Sequence, residues 1–501
     1  MTTGAPIALI DRSPAGTGLV DDRAALVACE AAGAFVDLSP GTYLVSSNLT
    51  LTKVLRFAPG AILKPASGVT ITLTGEVIAG AWQIFDVSAG GTIAGPVRNQ
   101  LVYPDWWGAA PGVASSQTSK IQAAITFAES GARTVYLRNG LWRCDTSLYM
   151  RQPASLVGDP GIPAQGVDSA VSALDFSNAV NTVSGLIVGR VTDFPLDGIT
   201  IRDIAIYRDT LVSTGSGCVG LTFDSVYQAE CINVQIWNFD RGYSLQGSAT
   251  YPCSQCEFRG CRSTYAGTYH WEVWCAIDCV FDRCSGGGGP ATYCFYVYPN
   301  APAVVPNALH WTNCMFVSSA ALNGIRILAG FWHSIEDCVF EEMDEAGVLV
   351  SMLTTDIALM HVSVTDCWFN NCGVGFRSNN DGGNFRIRDN RIEASTASAM
   401  FGIIIDSAGA ELERDILIEG NNVKFSGGSA TGIYLNKVTG ARVLNNRIVG
   451  SGSASALAGI GLGAATSVCL VTGNRSQTTF AAADGISDGG ASNVLANNQK
   501  Y

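Results

Sequence analysis

The sequence predicts an all-β protein whose main part is a right-handed, single-stranded parallel β-helix of about 12 coils. Three observations predict this fold class. A short motif recurs every 22 to 35 residues, each copy is followed by a glycine and alternating apolar residues, and no helical period lies between the copies. Units of this length cannot bury a hydrophobic face alone, so they must stack.

The recurring motif places one position inside each coil. Asp or Asn precedes this position in most copies, and an apolar residue follows two positions later. Because stacked coils lie about 4.8 Å apart, these side chains should form a column in which Asn amides hydrogen-bond up the stack and small thiols fill the same place. The predicted column is Ile204, Val234, Cys256, Cys279, Cys314, Cys338, Cys367, Asn390, Asn421, Asn446, Asn474 and Asn497.

The 16 cysteines are too sparse for a disulfide scaffold in a chain of 501 residues. The "CSQC" segment (Cys253, Cys256) comes nearest to a zinc-ligand spacing, but the cysteines fit the interior column better. We therefore predict reduced core thiols, with neither a metal nor a cofactor.

Two segments near the N-terminus match each other in outline. "DDRAALVACEAAGAFVDLSPGTYLV" (21–45) and "TSKIQAAITFAESGARTVYLRNGLWRC" (118–144) each read as an Ala-rich helix followed by an apolar strand that ends in Gly-x-aromatic. Each helix is expected to cap the open end of a β-stack. The sequence thus predicts a small β domain at 1–100, a linker and capping helix at 101–145, and the parallel β-helix at 146–501.

Charge and hydropathy exclude two classes of partner. The formal net charge is −12 with only 30 Lys and Arg residues, which argues against nucleic acid because phosphate contacts need a basic surface. No run of eighteen apolar residues occurs, and the first residues lack a basic stretch leading into an apolar core. We predict neither membrane insertion nor a signal peptide.

The segments "VYPDWWGA", "SKIQAAITFA" and "VYLRNGLW" resemble the opening of pectate-lyase-like β-helix domains, especially those of bacteriophage tailspikes. Two departures stand out: Asn139 occupies a position that is often Pro, and "PGVASSQTSK" replaces an Asp-Gly-x-x-Asp motif. The resemblance implies a homotrimeric depolymerase of the virion tail that binds and cleaves capsular or O-antigen polysaccharide. It also implies synthesis in the host cytoplasm and possible contact with virion tail proteins through the N-terminus.

Acidic residues cluster around "HSIEDCVFEEMDE" and form our catalytic candidates. Glycoside hydrolysis needs two carboxylates, about 5 to 5.5 Å apart for retention or about 6.5 to 9.5 Å for inversion. We predict hydrolysis by a pair drawn from Glu336, Glu341, Glu342 and Asp344. The competing interpretation is that exterior charge serves solvation, and Asp337 merely continues the turn that precedes the column.

Histidine and arginine supply an alternative mechanism. A uronate lyase needs a base for the C5 proton and a cation for the carboxylate. His310 and His361 are predicted to face outward beside the Glu336 coil, while Arg326 and Arg377 face outward on the next strand. These four residues are therefore candidates for substrate binding, although a lone histidine near a strand is more often structural.

Aromatic residues crowd two neighbouring coils in "STYAGTYHWEVW" and "ATYCFYVYPNAP". Tyr269, Trp271, Trp274 and Tyr296 are our candidates for stacking on sugar rings, with Glu272 and Asp240 as second-choice acids. Aromatics also fill β-helix cores and trimer seams. A spike that binds polysaccharide without cutting it, and a structural or epimerase β-helix of cellular origin, remain as alternatives.

Overall fold

The protein is described here by a computed structural model, within which the described residues are 7–8, 12, 14–131, 133–161, 171–189, 196–248, 250–299, 305–317, 321–351, 361–379, 383–394, 400–407, 412–413, 415–426, 430–451, 458–476 and 485–500. They form two compact units, Met1–Tyr207 and Arg208–Tyr501. The class is the predicted right-handed parallel β-solenoid, with about 15 turns rather than 12. The predicted domain division at residues 100 and 145 stays a prediction.

Both predicted helices are present in the first unit. Helix α1 spans Arg23–Ala32 and helix α2 spans Thr118–Glu129, and each is followed by a strand and a glycine-led strand, as the matching segments predict. A short 3-10 helix, Pro104–Trp107, buries both of its tryptophans, and Trp107 packs against Phe127 of α2 with ring centroids 5.4 Å apart. The entry motif thus fixes α2 through aromatic packing.

The strands of the first unit pair in parallel. Those before residue 100 are Ile7–Ala8, Thr17–Asp21, Phe35–Leu38, Gly41–Val45, Leu49–Leu51, Val54–Phe57, Ala61–Pro65, Thr70–Leu73, Val77–Ile78 and Thr92–Ala94. The later strands are Leu101–Val102, Thr134–Leu137, Gly140–Arg143, Leu148–Met150, Ser155–Gly158, Ser172–Asp175, Leu186–Gly189, Leu196–Asp197, Thr200–Arg202 and Ala205–Tyr207. Buried and less buried residues alternate along most of them, as expected of strands with one face inside.

Three parallel sheets run through the second unit, and each coil contributes one strand to each of them. Sheet I comprises Glu230–Ile232, Glu257–Arg259, Val280–Asp282, His310–Thr312, His333–Glu336, His361–Thr365, Asn384–Arg388, Ile416–Glu419, Arg442–Leu444, Leu470–Thr472 and Val494–Ala496. Sheet II comprises Gln235–Trp237, Arg262–Thr264, Ser285–Gly287, Met315–Val317, Val339–Glu341, Trp368–Asn370, Arg391–Ala394, Asn422–Ser426, Arg447–Ser451, Arg475–Ser476 and Gln499–Lys500.

Sheet III closes each coil. It comprises Val219–Asp224, Arg241–Gln246, Tyr269–Val273, Tyr293–Val297, Asn323–Ile327, Ala346–Val350, Val374–Ser378, Met400–Asp406, Ala430–Asn436, Ala458–Leu462 and Ile486–Asp488. Shorter strands between sheets III and I are Val226–Tyr227, Cys253–Ser254, Ala276–Ile277, Leu412–Glu413 and Val438–Thr439. The core lies between the three sheets and is rich in Phe, Ile, Val and Cys.

A two-residue turn joins sheet I to sheet II in every coil. Its first residue has a positive φ, for example 52° at Asp337 and 55° at Asn445. Asn, Asp and Gly tolerate this left-handed conformation better than other residues, which explains why they precede the column. Its second residue is the buried column residue, so the turn predicted for Asp337 is confirmed.

The strand registers correct two parts of the predicted column. Ser285 pairs with Met315, so Cys284 and not Cys279 lies below Cys314, and Cys261 takes the place assigned to Cys256. Cys256 and Cys279 instead stack on each other in a second column at the entrance to sheet I. The C-terminal member is Asn498, because Asn497 occupies the left-handed turn position with φ 53°. Cys256 and Cys279 were mistaken for column members because a Phe follows two positions after each of them, as after Cys314, whereas Ser263 and Gly286 follow Cys261 and Cys284.

The lower half of the corrected column is an asparagine ladder. Asn390 Nδ2 donates to Asn421 Oδ1 at 2.9 Å, Asn421 donates to Asn446 at 2.9 Å, and the same contact continues to Asn474 and Asn498. Each Oδ1 also accepts a backbone N–H from the preceding coil, for example Asn421 N to Asn446 Oδ1 at 3.0 Å. The predicted amide-to-amide stacking is therefore confirmed.

Thiols occupy the upper half of the same column. All 16 cysteines are buried thiols, and none of them forms a disulfide bond. Their Sγ atoms lie near backbone carbonyls, as in Cys314 to Phe281 O at 3.2 Å and Cys338 to Glu336 O at 3.2 Å. Among the described residues, no helix is long and apolar enough to cross a membrane.

Candidate functional site

The outer face of sheet III carries a cluster of polar and aromatic side chains. Two consecutive buried residues, such as His270 and Trp271, separate the two rows of side chains on this face. One row, aligned coil by coil, is Ser244, Glu272, Tyr296, Arg326, Leu349 and Arg377. The other is Arg241, Tyr269, Tyr293 and Asn323. The predicted outward orientation of Arg326 and Arg377 is therefore confirmed.

Glu272 is buried at the centre of this face, with a side chain only 2% exposed. Its two carboxylate oxygens accept hydrogen bonds from Arg241 Nη1 at 2.9 and 2.8 Å, from Ser244 Oγ at 3.1 Å and from the Tyr298 hydroxyl at 2.8 Å. These four hydrogen bonds fix the orientation of the carboxylate and of its partners. Glu272 thus positions Arg241 and Tyr298.

Four tyrosines stack beside Glu272. Ring centroids lie 4.8 Å apart for Tyr269 and Tyr296, 4.9 Å for Tyr293 and Tyr296, and 4.7 Å for Tyr296 and Tyr298. Burial raises the pKa of Tyr298, and Glu272 raises it further. Burial likewise raises the pKa values of Tyr269 and Tyr296. These phenols therefore keep their protons at neutral pH and can donate hydrogen bonds.

Arg326 lies over this stack. Its guanidinium carbon is 5.1 Å from the Tyr293 ring centroid and 6.0 Å from that of Tyr296, and Nη1 donates to the Tyr293 hydroxyl. Its Nε is buried without a hydrogen-bond acceptor, and no carboxylate of the described residues lies within ion-pair distance. Arg241, by contrast, pairs with Glu272.

Glu345 and Arg377 form a second charged group at the edge of the same face. Glu345 Oε1 lies 3.3 Å from Arg377 Nη1, and Oε2 accepts from Asn323 Nδ2 at 3.0 Å. Both charged side chains are 35% exposed. Asp344, one of the predicted catalytic acids, is exposed in the turn that leads into this strand. Two carboxylates thus border the face at adjacent residues.

The other predicted catalytic acids are not brought together. Glu336 ends a sheet I strand and is exposed, whereas Glu341 ends the following sheet II strand and accepts from Asn370 Nδ2 at 2.9 Å. Glu342 occupies a left-handed turn position with φ 60°. The turns between the strands direct these side chains to different faces of the coil, so a shared glycosidic bond is out of reach for Glu336 and Glu341.

The predicted histidines lie on sheet I, away from the arginines of sheet III. His310 Nδ1 is 2.7 Å from Ser334 Oγ. His361 stacks on Trp332 with ring centroids 4.2 Å apart, and its Nε2 is 3.1 Å from Asn384 Nδ2. The structure therefore does not bring His310 or His361 together with Arg326 or Arg377.

The aromatic candidates divide between core and surface. Trp271 is fully buried inside the solenoid, where it stacks between Tyr243 at 3.8 Å and Phe295 at 4.9 Å, so a role in sugar contact is wrong for this residue. Trp274 is half-buried beside Tyr298, with ring centroids 6.2 Å apart. Tyr269 and Tyr296 lie on the outer face. Trp271 lies in the core together with the adjacent His270, whereas Tyr269 and Glu272 on either side of this pair belong to the outer face.

Asp240, a second-choice acid in the sequence, has a structural role. It is fully buried and accepts from the backbone N–H groups of Gly215 at 3.0 Å and Gly217 at 2.7 Å and from Thr268 Oγ1 at 2.5 Å. These contacts anchor the segment before the first sheet III strand. Glu272, the other second-choice acid, is the one that belongs to the outer face.

Arg241 and Asn323 are members of the cluster that the sequence analysis did not name. The signal that could have found them is the register of sheet III. Aligning "RGYSLQ", "YHWEV", "YCFYV", "NGIRI" and "AGVLV" at their first residues places Arg241, Tyr269, Tyr293 and Asn323 in one row. A slip in the cysteine column hid that alignment.

A family model described as "Periplasmic copper-binding protein (NosD)" matches residues 318–498, which is less than half of the chain. The residues present do not fit a copper site. The thiols of this region are buried: Cys367 lies 3.3 Å from Thr365 O, and burial raises the pKa of Cys372 to about 12. The described residues contain no group of three or more His, Cys, Asp or Glu that could hold a metal.

No curated protein sequence matches the chain. Among solved structures, the Agl-KA catalytic domain is 12% identical with a TM-score of 0.52, covering 79% of this chain and 68% of that one. The catalytic domain of a GH87 alpha-1,3-glucanase in complex with nigerose is 15% identical with a TM-score of 0.52, covering 72% and 68%.

A phage neighbour is more distant. The gp42 tailspike of Acinetobacter phage vb_AbaP_AS12 is 11% identical with a TM-score of 0.38, covering 79% of this chain and 63% of that one. At these identities the likeness concerns the fold. The chain is thus similar in fold to the Agl-KA catalytic domain and to the GH87 alpha-1,3-glucanase catalytic domain.

Proposed function

We propose that the chain binds an extended polysaccharide along the outer face of sheet III and cleaves it by hydrolysis. The observation that carries this proposal is the stack of four tyrosines beside the Glu272–Arg241 pair on an outward face. Sugar rings stack on aromatic faces, and fixed polar groups orient them. Similarity to glucanase catalytic domains supports the same substrate class.

The dimensions of the face suit a polymer. From Arg241 to Arg377 the aligned rows cross six successive strands of sheet III. At about 4.8 Å per coil this is roughly 24 Å, which is long enough for several sugar units. A chain lying parallel to the solenoid axis would meet Arg241 and Glu272 beside the tyrosines, and then Arg326 and Arg377.

Asp344 and Glu345 are the carboxylates that we propose for catalysis. They border the face, and Glu345 is held by Asn323 and Arg377 while remaining 35% exposed. Glu272 is unsuited to proton transfer because four hydrogen bonds occupy its oxygens. Glu336, Glu341 and Glu342 remain candidates only for chemistry on the other faces.

Hydrolysis is favoured over the lyase alternative because Tyr269, Tyr296 and Tyr298 on this face keep their protons and cannot serve as a base. A lyase needs a base, and the tyrosines here have pKa values raised by burial. His310 and His361 lie on sheet I. We further propose that the chain is a tailspike, trimeric and borne on a virion, whose substrate is a bacterial capsule or O-antigen. A spike that binds without cutting is the alternative.

The test follows cleavage of purified bacterial surface polysaccharides. Reducing ends without the ultraviolet absorbance of an unsaturated uronate indicate hydrolysis, and both signals together indicate a lyase. We expect Glu345→Gln and Asp344→Asn to abolish cleavage, with Glu336→Gln on sheet I as the matched control that retains it. Loss of cleavage in the control alone would overturn the assignment, and binding without cleavage by the unmodified protein would leave only a receptor.

A further inference from the structure

Three arginines lie on the outer face of sheet III, and their partners differ. Arg241 pairs with Glu272 at 2.8 Å, and Arg377 lies 3.3 Å from Glu345. Arg326 has no carboxylate partner among the described residues. Its guanidinium contacts the rings of Tyr293 and Tyr296 and the Tyr293 hydroxyl, and its Nε has no hydrogen-bond acceptor. One cation in the row is therefore left without a negative partner within the described residues.

A charge held against aromatic rings and short of acceptors is costly unless an anion completes it. Guanidinium groups carry five N–H donors in a planar fork that matches a carboxylate or sulfate bidentately. Burial raises the pKa of Tyr296, so this phenol keeps its proton and adds a hydrogen-bond donor without a negative charge. The surroundings of Arg326 are thus arranged for an anionic ligand.

We infer that Arg326, with Tyr293 and Tyr296, forms a subsite for an anionic sugar residue. This deepens the proposed function by naming the substrate class: a polysaccharide whose repeat carries a carboxylate, or an ester sulfate or phosphate with the same charge chemistry. The tyrosine rings hold the sugar, and the guanidinium binds the anionic group. Arg241 and Arg377 hold the surrounding side chains and are neutralised within the protein.

The experiment uses the full chain carrying 3-fluorotyrosine at position 296, followed by fluorine NMR. Sodium glucuronate, sodium sulfate and glucose are titrated separately. We expect a saturable shift with glucuronate at concentrations on the order of millimolar and none with glucose, because the anion supplies the recognition. Sulfate tests the alternative source: a shift with sulfate that matches glucuronate assigns the subsite to sulfated or phosphorylated sugars as well as uronates.

Variants complete the test. We expect Arg326→Gln to abolish the glucuronate shift and Arg326→Lys to weaken the affinity at least about fivefold, because lysine lacks the planar fork. Arg388→Gln on sheet I is the matched control and should retain the shift, since Arg388 lies away from sheet III and already pairs with Glu419 at 3.5 Å. An unchanged shift in Arg326→Gln, an equal response to glucose, or no response to either anion would overturn the inference.

The outcome is separable from that of the proposed function. If the protein binds glucuronate through Arg326 but cleaves no polysaccharide, the subsite is supported and the hydrolase proposal is rejected. If the protein cleaves a neutral polysaccharide and Arg326→Gln leaves this activity unchanged, the hydrolase proposal is supported and the subsite is rejected. Unaltered circular dichroism of each variant confirms that the solenoid remains folded.

Discussion

The interior column and the outer face of sheet III follow opposite rules. Inside, Asn390, Asn421 and Asn446 repeat one contact at 2.9 Å from coil to coil. Outside, the row through Glu272, Tyr296 and Arg326 carries a different side chain on each of these three successive coils. Repetition inside sets the stacking of coils, while variation outside on the same spacing creates a site.

The largest expected effect comes from breaking the interior repeat. Asn446→Leu removes the acceptor of Asn421 N and Nδ2 and the donor to Asn474. Two buried donors without acceptors should cost about 4 kcal/mol of unfolding free energy. Urea denaturation measures it. Cys338→Ala in the thiol half of the column is the comparison and should cost about 2 kcal/mol, because only packing is lost. Equal costs would contradict the distinction.

Folding stability should also fall at acid pH, because two histidines in the interior are buried in their neutral form. Burial lowers the pKa values of His270 and His333 to about 4, from 6.5 in the unfolded chain. The unfolded state then binds more protons between these values, so stability is full above about pH 6.5 and falls as pH drops toward 4. Each histidine contributes up to about 3 kcal/mol.

Denaturation midpoints between pH 7 and pH 4 measure this dependence. The variant His270→Gln should flatten part of the slope, because one of the two titrating groups is removed. A slope that survives the removal of both His270 and His333 would point to other groups.

On the face, Glu272→Gln sharpens the comparison with a smaller effect. The substitution keeps the shape but leaves Arg241, which is 33% exposed, without its ion pair. We expect a stability loss of about 2 kcal/mol after solvent screening, together with a larger loss of polysaccharide affinity, since Arg241 and Tyr298 are released. If Glu272→Asp retains part of the affinity that Glu272→Gln loses, the carboxylate acts by positioning Arg241 and Tyr298. Unchanged affinity in Glu272→Gln would contradict this role.

The smallest effect is expected for Glu336→Gln. Its carboxylate is exposed on sheet I, and exposed charges contribute within about 0.5 kcal/mol. Stability and binding should both match the unmodified protein within error in thermal melts and affinity measurements. A clear loss of binding would indicate that the binding site includes the segment "HSIEDCVFEEM", as the sequence predicts.

The fold could be predicted because the interior repeats. The Asn column from Asn390 to Asn474 and both helices were found from the sequence. The site could be predicted only in part: Tyr269, Tyr296, Arg326 and Arg377 were named, but as members of separate mechanisms. Cys256 was confused with Cys261 because an aromatic residue, Phe258, lies two places after Cys256, whereas Ser263 follows the true column position. Face assignment by simple alternation fails in the strand of Trp271, because His270 and Trp271 are consecutive and both buried in the core.

The central claim is that a polysaccharide lies on sheet III and not on sheet I. The direct measurement is the affinity of a bound polysaccharide for two single variants, Tyr296→Ala on sheet III and Trp332→Ala on sheet I, where Trp332 is 61% exposed. Loss of one stacking contact should weaken binding roughly tenfold in Tyr296→Ala and leave Trp332→Ala within about twofold. The reverse order would contradict the account.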